Sequence, residues 1–154
     1  MRFSGLAIVA AVATLGACGG EKPASDAASS ATPAAGAAVA AMPATGKTHE
    51  IKMIGDEKGF RFEPANLTIS VGDAIKFVTV SGNPHNVAFS SVPAESKAQL
   101  QANLPEAMGD MMGKMLAGPT DTYTVSFAGV KAGKYEYNCT PHLANNMKGV
   151  ITVQ

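Results

Sequence analysis

Cys139, His142 and Met147 fall within one short stretch, Cys139-Thr140-Pro141-His142-Leu143-Ala144-Asn145-Asn146-Met147, and a second imidazole, His85, lies far upstream in Asn83-Pro84-His85-Asn86-Val87. These side chains can act together only if the chain folds back so that two strand ends, distant in sequence, converge. Taken alone, Cys139-x-x-His142 also fits a buried cysteine near a surface histidine, because short motifs recur by chance. The full set of donors constrains the fold far more tightly.

Thiolate and thioether are soft donors that suit Cu(I), while imidazole serves Cu(I) and Cu(II) alike. Two histidines, a cysteine and a methionine make the donor set associated with blue-copper electron transfer. Structural zinc sites favour four Cys/His donors and rarely take a methionine.

Strand signals fill most of the region after residue 47. Leu67-Thr68-Ile69-Ser70-Val71, Tyr123-Thr124-Val125-Ser126-Phe127 and Tyr135-Glu136-Tyr137-Asn138-Cys139 alternate apolar and polar residues, with Gly72-Asp73 and Ala132-Gly133-Lys134 as turns. Short alternating strands with regular turn punctuation imply a β-sandwich. With a side-chain period of two, His85, Val87 and Phe89 share one face, and Tyr135, Tyr137 and Cys139 share another. If those faces point inward, His85 and Cys139 meet in a dry site at the strand ends. Phe60, Phe62, Phe77, Tyr123 and Phe127 read as core.

The stretch from Cys139 through Pro141 and His142 to Met147-Lys148-Gly149-Val150-Ile151-Thr152-Val153 resembles the copper loop and last strand of the plastocyanins. Pro84-His85-Asn86-Val87-Ala88-Phe89 resembles the strand bearing that family's first ligand, and Val71-Gly72-Asp73 with Ile75-Lys76-Phe77 resembles the turn and strand before it. The likeness covers residues 47–154, with ligand spacing of the plastocyanin kind rather than the longer azurin kind. It implies an all-β, cupredoxin-like antiparallel Greek-key β-sandwich holding one copper ion. By this resemblance His85, Cys139 and His142 are the equatorial ligands, Met147 is the long axial ligand, and Asn86 braces the loop beside the cysteine sulfur. Asn138 and Asn146 stand where that family usually has an aromatic residue and a glycine. Asparagine tolerates left-handed backbone geometry better than other non-glycine residues, so the loop can still close.

The N-terminus bears on location. Arg2 precedes an apolar run over residues 6–15, too short for a membrane span and suited to a signal-peptide core. Leu15-Gly16-Ala17-Cys18 resembles a bacterial lipobox, which implies a signal over 1–17, lipidation of Cys18, and a protein held to a bacterial membrane on the periplasmic or cell-surface side. An ordinary cleaved signal, with Ala13 and Ala17 as the small residues, is the alternative. A Cys18–Cys139 disulfide is set aside because Cys139 is needed as a ligand. Residues 18–46 are mostly Ala, Pro, Gly, Ser and Thr with almost no large apolar side chain, and read as a flexible tether. Residues 47–154 then form the single folded domain.

Residues 94–116 break the strand pattern and favour helix, with Pro105 starting a second half. Met108, Met111, Met112 and Met115 would form one stripe on it. Such a stripe is either the buried face of an amphipathic helix or a thioether patch that binds Cu(I) or offers an adaptable docking surface. His49 reads as a solvated side chain.

Acidic and basic residues balance to a formal net charge of zero, with no basic cluster to suggest nucleic acid. The expected function is to carry single electrons as a monomer between redox proteins such as membrane cytochrome complexes, soluble cytochromes, a terminal oxidase or a photosystem. Copper storage or delivery is the alternative. Enzymatic copper chemistry would need an open coordination position or a second copper centre, and no further histidine cluster is present to build one.

Overall fold

The alternating segments form the strands β1 (Thr48–Asp56), β2 (Gly59–Glu63), β3 (Asn66–Ile69), β4 (Ala74–Thr79), β5 (Ala88–Ser91), β6 (Thr122–Ser126), β7 (Gly133–Asn138) and β8 (Lys148–Val153), with a short helix α1 (Lys97–Ala102) between β5 and β6. This computed structural model describes residues 38–154. The signal read over 1–17, Cys18 and most of the tether lie outside the described residues. The strands make two sheets, ordered β2-β1-β4-β6 and β3-β8-β7-β5. β1 with β4 and β3 with β8 pair in parallel, and the other neighbours pair antiparallel.

The pleat sends alternate side chains between the sheets, where Ile51, Met53, Phe62, Ile75, Phe77, Val125, Phe127 and Ile151 are buried. Each such side chain contributes about 1.5–3 kcal/mol through removal from water. His85, Val87 and Phe89 point inward, as do Tyr135, Tyr137 and Cys139, in the register the alternation predicts. The buried tyrosines keep hydroxyl partners: Tyr137 donates to the Ala65 carbonyl at 3.0 Å and Tyr123 to the Pro105 carbonyl at 2.9 Å. Val71 ends its alternating run outside the core, in the exposed turn before β4. Phe60 also departs from the expected core role, being only partly buried at one pole of the sandwich.

The insertion is helical only over its first part. A 3-10 turn (Ala94–Ser96) leads into α1, which ends at Ala102, and residues 103–116 run as turns and isolated bridges. Met111 and Glu106 take positive φ angles of 57° and 48°, which no continuing helix allows. The backbone instead bonds to the segment carrying His85: His85 N–H donates to the Leu116 carbonyl at 3.0 Å, and Leu116 N–H returns at 2.8 Å. Tertiary pairing has overridden helix propensity here. The four methionines therefore share no helix face: Met111 is buried, while Met108 and Met115 are exposed.

The tether also ends earlier than its composition suggests. Met42 N–H donates to Asn103 Oδ1 at 2.8 Å, and Gln99 Nε2 donates to the Ala40 carbonyl at 3.0 Å. Thr45 and Gly46 both donate to the Gly72 carbonyl at 2.9 Å. Asn103 is buried and also donates to the carbonyls of Ser126 and Ala128, so its amide ties the preceding strap to the edge of β6. A chain beginning at Lys47 leaves that amide oxygen with fewer partners. Urea unfolding should show it less stable than one beginning at residue 38 by about 1–3 kcal/mol; equal midpoints would show the strap to be idle.

Candidate metal centre

At the pole where β1 ends and β2 begins, three donor side chains converge. The donor atoms of His85, Cys139 and His142 lie within 4.8 Å of one another, and all three residues are buried. Cys139 Sγ is 3.5 Å from His85 Nδ1 and 3.3 Å from His142 Nδ1. His85 reaches this place on the segment paired with Leu116, and Cys139 directly follows β7.

Hydrogen bonding fixes the imidazole of His85. Its Nε2 lies 2.8 Å from the Ser81 carbonyl, which can only accept, so Nε2 carries the proton and Nδ1 turns a lone pair toward the cysteine. Gly55 N–H also donates to the Ser81 carbonyl, at 2.9 Å. Gly55 and Gly82 touch across this corner: a Cβ on Gly82 would lie 2.6 Å from Gly55 Cα, and φ at Gly82 is +77°. Both positions therefore exclude any larger residue.

The loop after Cys139 is a tight 3-10 stretch with Pro141 in its first turn. Cys139 N–H donates to the Met147 carbonyl at 3.0 Å, and Met147 N–H to the His142 carbonyl at 3.3 Å, so the loop closes on itself. Asn146 makes the closure possible with φ 60° and ψ 30°. That is the left-handed conformation asparagine tolerates. Met147 is fully buried and belongs to the same apolar cluster as Cys139 and Val87. Asn86 clamps the loop: its Oδ1 accepts from Thr140 N–H at 2.8 Å and its Nδ2 donates to Thr140 Oγ1 at 3.1 Å.

Burial pushes the Cys139 thiol up, opposed by the nearby backbone N–H groups of Asn86 and His142. Burial pushes His142 down from its ordinary value, and the neighbouring His85 adds to that shift. Without metal, then, the thiol holds its proton at neutral pH while His142 stays neutral. A metal ion must displace the thiol proton but not one on His142.

Sequence reasoning missed the role of Phe60. Its ring stacks on His142 with centroids 3.7 Å apart and planes 11° from parallel. A Cβ on Gly55 would come within 2.6 Å of the Phe60 ring, so the two glycines open the slot in which the ring lies. The signal available was Phe60-Arg61-Phe62 close after glycines at 55 and 59, which reads equally well as a hairpin. His49 also differs from expectation: it pairs with the buried Asp73 at 2.8 Å, away from the donor cluster. The hydrogen bond from His49, joined by Ser70 N–H, holds the Asp73 carboxyl below its usual range.

A two-sheet sandwich with a buried His-Cys-His cluster at one pole defines a cupredoxin. The family model for copper binding proteins of the plastocyanin/azurin family matches residues 49–154. Plastocyanin of Prochlorothrix hollandica is 36% identical over 111 residues, covering 72% of this chain and 76% of that protein. Plastocyanin of Nostoc punctiforme is 37% identical over 111 residues, covering 72% and 77%. Among solved structures, the oxidized form of plastocyanin from Dryopteris crassirhizoma overlays with a TM-score of 0.53 at 32% identity, covering 69% of this chain and 100% of that one. The chain belongs to the plastocyanin/azurin family of copper-binding proteins, and its cluster is compatible with a single copper ion.

Copper binding at pH 7 should therefore release about one proton, from the Cys139 thiol. Calorimetry in buffers of different ionisation enthalpy measures the number. Release near zero would mean that the sulfur is not the proton source.

Proposed function

We propose that the chain is a mononuclear blue-copper carrier of single electrons, rather than an enzyme, with His85 Nδ1, Cys139 Sγ and His142 Nδ1 as equatorial ligands and Met147 as the axial one. The observation that carries this reading is the convergence of three buried donors of the right chemistry within 4.8 Å. Bound copper would supply a one-electron couple between Cu(I) and Cu(II). The chain's own part is to hold the donors so that neither oxidation state requires a new arrangement. Ser81 fixes the tautomer of His85, the Asn86–Thr140 clamp joins the two ligand segments, and Phe60 steadies the imidazole of His142. Outer contacts of this kind orient ligands and tune a metal.

His142 keeps 8% of its surface exposed while His85, Cys139 and Met147 keep none, so its edge is the shortest way out for an electron. The exposed Leu143, with Pro141 and Ala144 beside it, makes an apolar rim suited to brief complexes. Partners on this reading are redox proteins such as membrane cytochrome complexes, soluble cytochromes, a terminal oxidase or a photosystem. Work outside the cytoplasmic membrane rests on the signal-like N-terminus and on Cys18 as a lipid anchor. Cys18→Ser should move the protein from the membrane fraction to the soluble fraction; unchanged membrane association would contradict the anchor. Copper storage or delivery would use the methionine stripe as acceptor, and it is disfavoured because the helix that would align those residues does not form over 103–116 and Met111 is buried.

The Cu(II) protein should be intensely blue from thiolate charge transfer, and Cys139→Ser should abolish the colour. Met147→Gln replaces a weak thioether by a harder oxygen that favours Cu(II), so voltammetry should record a lower reduction potential with the colour largely kept. A colourless stoichiometric Cu(II) complex would overturn the assignment, and an unchanged potential would remove Met147 from the axial place.

A further inference from the structure

Met112 belongs to the insertion, outside the proposed ligand set, yet it lies on the segment bonded to the His85 strand. Gly113 N–H donates to the Val87 carbonyl and Phe89 N–H to the Met111 carbonyl, each at 2.9 Å, which fixes Met112 opposite Ala88. Thr140 Oγ1 lies 3.8 Å from Met112 Sδ, within hydrogen-bond range for sulfur. We propose that Met112 is a positioning residue for the metal centre, its sulfur ending a hydrogen-bond chain that runs back through Thr140 to Asn86, the neighbour of His85. The metal-centre part of this proposal rests on the copper reading above.

The direction of the chain follows from its members. Thr140 N–H can only donate, so the oxygen of the Asn86 amide must face it, and Nδ2 must then face the Thr140 hydroxyl. That hydroxyl accepts from Asn86 and has its single proton left for the sulfur. The clamp thus links residues 54 apart in sequence that flank His85 and Cys139. Thr140 is exposed, so without the Met112 sulfur its hydroxyl is free to turn to water. A thioether is a weak acceptor, so the effect is one of orientation rather than of strength.

A double-mutant cycle tests this on the full chain with Met112→Leu and Thr140→Val. Leucine matches methionine closely in volume, and such swaps cost less than about 1.5 kcal/mol. In metal-free protein, solvent exchange of the Asn86 side-chain amide, followed by NMR saturation transfer, should quicken several-fold in Met112→Leu. In copper-loaded protein the same variant should shift the charge-transfer band. Neither change should grow when Met112→Leu is added to Thr140→Val, because the hydroxyl that links them is already gone. Wild-type behaviour of Met112→Leu in both measurements would overturn the proposal. So would an equal effect of Met112→Leu with and without the Thr140 hydroxyl. A wild type that takes up no copper would instead sink the copper reading, and the exchange measurement on metal-free protein would still decide whether Met112 orients Asn86.

Discussion

The Cys139 sulfur stands 3.3 Å from one imidazole nitrogen and 3.5 Å from another, in a place where the cysteine has no exposed surface. Two imidazoles and a thiol held face to face out of water are unfavourable unless the surroundings prevent their separation. Much of the pole is arranged to do that. The Asn86–Thr140 clamp crosses between the two segments, and the Cys139–Met147 and Met147–His142 backbone bonds close the loop. Ser81 orients the ring of His85, and Gly55 and Gly82 come close enough for the chain to turn there. The same burial that raises the thiol and lowers His142 leaves both groups uncharged until a metal arrives.

The core supports this pole through a ladder of aromatic contacts. Tyr137, two residues before Cys139, packs edge-on against Phe62 and Phe77 at 4.7 and 5.6 Å. Such pairs add about 0.5–1.5 kcal/mol beyond area burial. Tyr137 is buried one residue before the end of β7, so these contacts anchor the strand close to the sulfur. The parallel pairing of β1 with β4 carries the chain from the strap at Gly46 to the donor pole at Gly55 in one strand.

The sandwich and its inward faces were legible because period-two alternation is a local signal, and Tyr135-Glu136-Tyr137-Asn138-Cys139 displays it with little interruption. The convergence of His85 with the 139–147 loop was legible through donor chemistry. Local signals failed where distant contacts decide. Residues 103–116 have helix-forming composition but bond to the His85 segment, and Met111 takes a left-handed φ that composition does not announce. Residues 40–46 look like tether because they are small, with Met42 the one large apolar side chain, yet Asn103 and Gln99 grip their backbone, which any sequence would offer. Phe60 read as core because aromatic residues are usually buried. Its stack on His142 depends on space left by Gly55, and that is a property of the folded corner alone.

On the copper reading, the fold holds His85, Cys139 and His142 in one arrangement that serves both Cu(I) and Cu(II). X-ray absorption at the copper edge, recorded on the fully loaded chain when oxidised and when reduced, addresses it most directly. One short copper–sulfur bond and two copper–imidazole bonds are expected in both states, with only slight lengthening on reduction. Loss of an imidazole on reduction, or a coordination shell of oxygen and nitrogen without the short sulfur bond, would contradict it.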